Sequence, residues 1–172
     1  MHKISPFLWF DSQAEEAAKY YVSVFKKHGK GSTKVTSVAR YPEGAPAPAG
    51  SVMTVGFKLG GQDFTALNAG PVFKFTPAIS FVVSCDDQKE VDYFWSKLIG
   101  DGGEPSQCGW LTDKFGLSWQ IVPKAMLKLV AHKDKAKASR AMAAMMKMQK
   151  IDLQTIEDAA AGRTNGARKR AA

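Results

Sequence analysis

The sequence predicts an α+β fold made of two consecutive βαβββ modules followed by a C-terminal helical extension. The first observation is a repeated order of elements, because a strand, a helix and three further strands occur in about residues 1–73 and again in 74–123. A shift of 75 positions also superposes identical polar residues: Asp11 on Asp86, Gln13 on Gln88 and Glu15 on Glu90. Such a repeat across the chain indicates internal duplication. The third observation is a helical apolar pattern beyond Pro123.

The first module begins with a strand over residues 4–10, in which Pro6 favours an edge position or a strand start. A helix follows, capped by Asp11 or Ser12, and the glycine-containing stretch 29–31 ends it. Extended segments are predicted at 35–41, 52–59 and 64–67. The Gly60-Gly61 pair between the last two predicts a β-hairpin.

The second module repeats this order. A strand is predicted over residues 79–84, and Asp86 or Asp87 caps a helix that runs to about Ile99. A glycine-rich turn at 100–103 stops the helix. Short extended segments at 104–107 and 109–112 precede a turn at 113–116 and a last strand over 117–122. The duplicated domain is therefore expected to span residues 1–123.

Residues 124–162 predict a helical extension packed on that domain. Asp134 is expected to start one helix, whose apolar face carries methionines, and Asp152 caps a final helix that ends before Gly162. A methionine-rich face is typical of core or homodimer packing, although a pliable groove for a partner is the alternative. Residues 163–172 are basic and lack large apolar side chains, so we expect a disordered tail.

Composition and charge exclude several classes of function. The 172 residues are 45% apolar and 23% charged, which is typical of one folded domain with an appendage. The net charge of +8 is confined to residues 124–172, since 1–123 carry equal numbers of acidic and basic side chains. A neutral domain does not predict nucleic-acid binding. No apolar run is long enough to predict a membrane span or signal peptide, so the sequence predicts a cytoplasmic protein.

The two cysteines do not indicate a redox or metal motif. Cys85 and Cys108 lie 23 positions apart, and neither belongs to a CxxC or Cys/His cluster. We expect both to be buried or idle thiols.

Four segments resemble one protein family. They are residues 6–10 (PFLWF), 15–17 (EEA), 65–71 (TALNAGP) and 113–123 (DKFGLSWQIVP). Together with the duplication they resemble the PhnB-like family, also named the 3-demethylubiquinone-9 3-methyltransferase domain, of the vicinal oxygen chelate superfamily of glyoxalases, dioxygenases and bleomycin-resistance proteins. The resemblance covers about residues 3–160. It implies two modules whose curved mixed sheets surround a cavity, in a homodimer.

Enzymes of this superfamily hold a divalent metal on His, Glu or Gln side chains from four strands. The resemblance places the metal-ligand positions of the two modules' first strands at Ile4 and Ile79, and that of the third ligand-bearing strand at Ala66 or Leu67. None of these side chains can bind a metal, so only Gln120 is a potential ligand. One amide does not hold a metal, and the three histidines lie elsewhere: His2, His28 and His132. The sequence therefore predicts no metal and no other cofactor.

A small-molecule site is predicted around the last strand. Gln120 and Ser118 alternate with apolar residues and share one face of that strand. If Gln120 occupies the superfamily's ligand position, that face lines the cavity, where further residues are expected: Asn68 at the mouth, and the aromatics Phe7, Trp9 and Trp110. Few polar groups on an aromatic wall are typical of a pocket for a small planar or aromatic ligand. The alternative is a solid aromatic core in which Gln120 bonds to the backbone.

The residues do not assign a catalytic step. The glycines at 100–103 follow a helix, whereas a nucleotide-binding loop follows a strand and opens a helix. The leading hypothesis is therefore a metal-free, homodimeric protein that binds a small molecule. Two alternatives stay open: a metal-assisted lyase or dioxygenase with other ligands, and a scaffold whose basic extension docks an acidic partner.

Overall fold

The computed structural model describes residues 4–28 and 31–163 and divides them into two compact units. The first unit ends at Phe75 and the second begins at Thr76. Each contains a four-stranded mixed sheet with a helix against one face. Within the described residues no helix is long and apolar enough to cross a membrane.

The first unit has the predicted βαβββ order. Its elements are β1 (Phe7–Phe10), α1 (Ala14–Lys26), β2 (Lys34–Arg40), β3 (Val52–Leu59) and β4 (Gln62–Asn68). The sheet order is β1-β4-β3-β2, with β1 parallel to β4 and the other pairs antiparallel. The β3–β4 hairpin is confirmed, and Gly60 and Gly61 both adopt positive φ angles in its turn. The first strand starts at Phe7 rather than residue 4.

The second unit repeats this topology. Its first elements are β5 (Ser80–Cys85), α2 (Gln88–Ile99), β6 (Glu104–Pro105), β7 (Trp110–Thr112) and β8 (Ser118–Pro123). The order is β5-β8-β7-β6, again with the first and last strands parallel. The identical arrangement in both sheets confirms the duplication. Asp87 is the residue that caps α2, through a hydrogen bond from the Glu90 N–H.

Each sheet buries the face that its helix covers. In the first unit, Leu8 and Phe10 of β1 are buried, whereas Phe7 on the opposite face is 61% exposed. In the second unit, Val83 is buried and Val82 is 55% exposed. This alternation separates two faces in each sheet, and the faces opposite α1 and opposite α2 are free of their own module's helix.

The hairpin between β7 and β8 is held by one buried carboxylate. Asp113 is 3% exposed, and its Oδ1 accepts hydrogen bonds from the N–H groups of Phe115 and Leu117. Its Oδ2 accepts the indole N–H of Trp119 at 2.8 Å. The motif at 113–123 thus fixes the turn and the start of β8, which carries Gln120.

The extension consists of three helices in the second unit, α3 (Lys124–Val130), α4 (Lys135–Met145) and α5 (Leu153–Ala160). They enclose a small core around the fully buried Ile151 and Ile156. The predicted caps are confirmed, because Asp134 and Asp152 accept hydrogen bonds from the first turns of α4 and α5.

Backbone hydrogen bonds attach this extension to the second sheet's loops. The N–H groups of Cys108 and Gly109 donate to the carbonyls of Met148 and Gln149, both at 2.7 Å. The side-chain amide of Gln88, at the start of α2, adds two bonds. Its Nε2 donates to the carbonyl of Ile151 at 3.0 Å, and its Oε1 accepts the N–H of Leu153 at 2.8 Å.

Several basic side chains of the extension are already paired within the second unit. Lys124 bonds Asp86, and Lys150 bonds Asp92 at 2.5 Å. Arg163, the first residue of the predicted disordered tail, bonds Asp158 of α5 at 2.8 Å, which contradicts the prediction at this one position. The rest of the predicted tail, 164–172, lies outside the described residues.

Candidate functional site

The face opposite α2 brings three predicted site residues together. Ser118 and Gln120 of β8 lie on this face, and Gln120 is paired in register with Trp110 on one side and Val82 on the other. Paired residues of neighbouring strands project to the same side of a sheet. The amide of Gln120 therefore lies between an indole and an aliphatic side chain.

The side chain of Gln120 binds another side chain on this face. Its Nε2 donates to Oγ of Ser80 at 2.9 Å. Ser80 was not among the predicted site residues, although the alternation of β5 already puts it on one face with Val82 and Ser84. The sequence does not predict that Ser80 lies beside Ser118, because their register depends on the parallel pairing of two strands that are distant along the chain.

The hydroxyl of Ser118 is buried. The residue is 1% exposed, and its Oγ forms no hydrogen bond within the described residues. Leaving a buried polar group unsatisfied costs about 1–3 kcal/mol. Such a group calls for a physical reason, and a binding role is one.

Phe7 and Trp9 lie together on the face opposite α1 in the first unit. They pair in register with Thr65 and Leu67 of β4. The indole N–H of Trp9 donates to the carbonyl of Gly70 at 2.8 Å, and the ring meets Phe73 edge-on, with 4.9 Å between centroids. The polar edge of Trp9 is thus engaged, which leaves its ring as an apolar surface.

Asn68 lies on the other face of that sheet, with Phe10 rather than with Trp9. Its Oδ1 accepts the N–H of Ala14 at 2.7 Å, and its Nδ2 donates to the carbonyl of Val52 at 3.1 Å. Asn68 therefore satisfies the first turn of α1. This replaces the predicted cap by Asp11 or Ser12, since Gln13 holds the N-cap position and makes no side-chain cap bond.

A cavity of about 710 Å³ lies beside this helix start in the first unit, between α1 and the loop that follows β2. Several of its polar lining groups are engaged in other interactions. Glu15 pairs with Lys19 at 2.7 Å, which lowers the pKa of Glu15, and the Tyr41 hydroxyl donates to the Asn68 carbonyl. This cavity is therefore a separate, partly polar hollow of the first unit, and Asn68 is part of its lining.

The strand residues do not fit a divalent metal. Ile4 and Ile79 precede β1 and β5, so the positions predicted for first-strand ligands lie outside the strands. Of the two third-strand candidates, Ala66 is buried under α1 and Leu67 shares the face of Trp9. Within residues 4–28 and 31–163, no three His, Cys, Asp or Glu side chains are grouped to hold an ion. One amide among serines and apolar groups is a poor donor set for a catalytic metal.

The glycine-rich stretch is a helix-to-strand turn. It follows α2 and leads into β6. At Gly103 a Cβ would lie 2.7 Å from the Leu98 carbonyl oxygen and 2.8 Å from that of Thr112, so the residue is required by packing. The described backbone here does not open a helix toward a nucleotide.

Two βαβββ units with parallel outer strand pairs define a protein of the glyoxalase/bleomycin-resistance fold. Residues 2–122 match the family described as 3-demethylubiquinone-9 3-methyltransferase. The chain belongs to this family, as the resemblance to PhnB-like proteins predicted. No curated protein matches the chain.

Solved structures agree with this assignment. A putative 3-demethylubiquinone-9 3-methyltransferase, a PhnB protein from Bacillus cereus, is 35% identical with a TM-score of 0.62, and the match covers 71% of this chain and 99% of that one. Protein PA1353 from Pseudomonas aeruginosa is 19% identical, with a TM-score of 0.58 and coverages of 72% and 98%. The fosfomycin resistance protein FosX from Mesorhizobium loti is 9% identical, with a TM-score of 0.52 and coverages of 76% and 98%. The last two show similarity of fold alone.

Proposed function

We propose that this protein binds a small planar or aromatic molecule on the face opposite α2, without a metal ion. The observation that carries the proposal is the hydroxyl of Ser118, which is buried near Gln120 and has no hydrogen-bond partner among residues 4–28 and 31–163. A bound polar group would satisfy this hydroxyl. Trp110 and Val82 supply the apolar surroundings that small-molecule sites commonly have.

The other predicted site residues lie in the first unit: Phe7, Trp9 and Asn68. Phe7 and Trp9 form an aromatic surface in the first unit, and their role in ligand binding stays a prediction. Asn68 is left out of the proposed site, because both ends of its amide are used by Ala14 and Val52.

We also propose a cytoplasmic homodimer. Both cysteines are free thiols, which suits a reducing compartment. Exposed apolar side chains, including Phe7 and Phe73, would gain from being covered in a dimer. Light scattering after size exclusion should give twice the chain mass of 18.7 kDa. A mass of one chain at all micromolar concentrations would contradict the dimer.

The ligand proposal is tested by thermal unfolding in the presence of small aromatic and dicarbonyl compounds. We compare the unaltered protein with Gln120→Leu and with a control, Gln62→Leu, on an exposed strand position. At least one compound should raise the unfolding temperature of the unaltered protein and the control. The same compound should have little effect on Gln120→Leu. If no compound stabilises the unaltered protein and Gln120→Leu alone is destabilised, Gln120 is a structural residue.

Elemental analysis tests whether the protein holds a metal ion. Protein that has been dialysed against metal-free buffer is analysed for Zn, Ni, Mn and Fe. We expect amounts far below one ion per chain. Stoichiometric metal that is lost in Gln120→Leu would favour the metal-assisted alternative instead.

A further inference from the structure

We infer that Ser80, Ser118 and Gln120 form a receptor for an uncharged ligand group that both donates and accepts a hydrogen bond, such as an aromatic carboxamide. This inference rests on the proposed function and specifies its ligand class. We call the three residues the polar triad. They occupy two neighbouring parallel strands on the face opposite α2.

The hydrogen-bonding capacity of the polar triad is only partly used. In the described structure, its one side-chain hydrogen bond runs from Gln120 Nε2 to Ser80 Oγ at 2.9 Å. The Ser80 hydroxyl can still donate its own proton, because it acts as the acceptor in that bond. Within the described residues, the hydroxyl of Ser118 has no partner, and no hydrogen bond is formed to Oε1 of Gln120. The triad thus offers two hydroxyl donors and one amide acceptor.

The charge on this face specifies a neutral ligand. Among the described residues of β5–β8, the face opposite α2 carries no Lys, Arg or His side chain. Its acidic residue, Glu104, lies two strands away from Ser118 on the outer strand β6 and is exposed. Among the described residues of β5–β8, a carboxylate or ammonium group buried against Ser118 would meet dipoles but no adjacent opposite charge on this face. Such burial is costly, whereas a neutral group avoids the penalty.

The spacing of the triad suits a carboxamide. Paired residues of adjacent strands are about 4.8 Å apart, so the hydroxyls of Ser80 and Ser118 approach a ligand side by side. A carboxamide oxygen can accept from a serine hydroxyl while its N–H donates to Oε1 of Gln120. Trp110, in register with Gln120, gives an attached aromatic ring an apolar surface.

Access to Ser118 requires neighbouring side chains to move. Ser80 and Gln120 are half-buried, and their side chains are hydrogen-bonded to each other rather than to the backbone. Breaking that one bond frees both groups. A ligand carboxamide that replaces it also satisfies Ser118, so binding exchanges one hydrogen bond for two or more.

The test compares three compounds of nearly the same shape and different charge: benzamide, benzoate and benzamidinium. Binding to the full-length protein is followed by two-dimensional amide NMR, which also reports the side-chain NH₂ of Gln120. We expect benzamide to bind at least tenfold more tightly than either charged compound and to shift the Gln120 resonances. Equal or tighter binding of a charged compound at this face would overturn the neutral-ligand inference and leave the proposed function intact. If none of the three binds but another compound of the aromatic and dicarbonyl panel does, the carboxamide inference alone is overturned. If no compound of the whole panel binds, the proposed function is contradicted as well.

Serine-to-alanine variants test whether the polar triad binds benzamide. Ser118→Ala and Ser80→Ala should each weaken benzamide binding at least fivefold. The matched control is Ser84→Ala, which removes an exposed hydroxyl from the same face of the same strand as Ser80. Unchanged backbone spectra would show that the variants are folded. Loss of binding in the control, or unchanged binding in both triad variants, would overturn the inference.

Discussion

Asp113 is the single residue that accounts best for the role of the segment 113–123 in the fold. The sequence suggested only a turn role for this aspartate. In the structure it is buried and accepts bonds from two backbone N–H groups and from the indole of Trp119. Hydrogen bonds to a charged group contribute about 1.5–3 kcal/mol each. The residue therefore fixes the β7–β8 turn, and with it the strand that carries Ser118 and Gln120.

Replacing this carboxylate should strongly destabilise the protein. Asp113→Ala leaves three donors without their acceptor, so we expect the free energy of unfolding in urea to fall by about 3 kcal/mol or more. Glu43→Ala, at an exposed loop position, serves as the control and should change it by less than about 0.5 kcal/mol. Equal effects of the two substitutions would mean that the Asp113 bonds contribute little.

The two cysteines should differ in reactivity, although the sequence did not distinguish them. Burial of Cys85, with smaller contributions from the nearby carboxylates of Glu90 and Asp86, raises the pKa of its thiol to about 12. Cys108 is half-buried in a loop. At pH 8 a thiol reagent should label Cys108 in the folded protein and Cys85 only after unfolding. Equal labelling rates would contradict the burial of Cys85.

The raised pKa of Cys85 makes the stability of the protein depend on pH. Because the thiol pKa is higher in the folded protein than its ordinary value of 9.0, the unfolded chain loses this proton first as the pH rises. The contribution of Cys85 to stability is thus fully present below pH 9 and is lost between about pH 9 and 12. Cys85→Ala should remove that part of the alkaline decline.

At the scale of elements, periodicity and turn residues predicted most strands and helices, but not contacts between distant segments. The start of α1 is the clearest case. Sequence rules favoured a local cap by Asp11 or Ser12, whereas the structure uses Asn68, which is 54 positions from Ala14. The parallel pairing of β1 with β4 brings Asn68 to the helix start. These hydrogen bonds of Asn68 depend on strand pairing, which local sequence rules do not predict, and its contact with a ligand stays a prediction.

The extension provides a test of such a distant contact. Gln88→Ala removes the side-chain bonds to the Ile151 carbonyl and the Leu153 N–H. We expect faster hydrogen exchange at the start of α5 and a loss of about 1–2 kcal/mol in unfolding free energy. Gln154→Ala, which removes an exposed side chain of α5 itself, is the control. Unchanged exchange at Leu153 in Gln88→Ala would show that the helices are held by their apolar core alone.

At the scale of the whole molecule, the duplication was readable from the sequence, because the repeated order of elements gives two sheets of the same topology. Part of the candidate site was readable too. Alternation along β8 placed Ser118 and Gln120 on one face, as the structure has them. Ser80 was missed, since only the register between β5 and β8 places it beside them. That the Ser118 hydroxyl has no partner in the described part of the chain is also a property of packing, which no residue pattern reveals.

Urea unfolding of Ser118→Ala, with and without benzamide, tests whether the buried hydroxyl of Ser118 serves binding rather than folding. Without ligand, the variant should be as stable as the unaltered protein or up to about 1 kcal/mol more stable, because a buried unpaired group is removed. At ten times its dissociation constant, benzamide should stabilise the unaltered protein by about 1.4 kcal/mol and the variant by much less. A variant that loses more than about 1 kcal/mol without ligand, and gains as much from benzamide as the unaltered protein, would contradict a binding role for this hydroxyl.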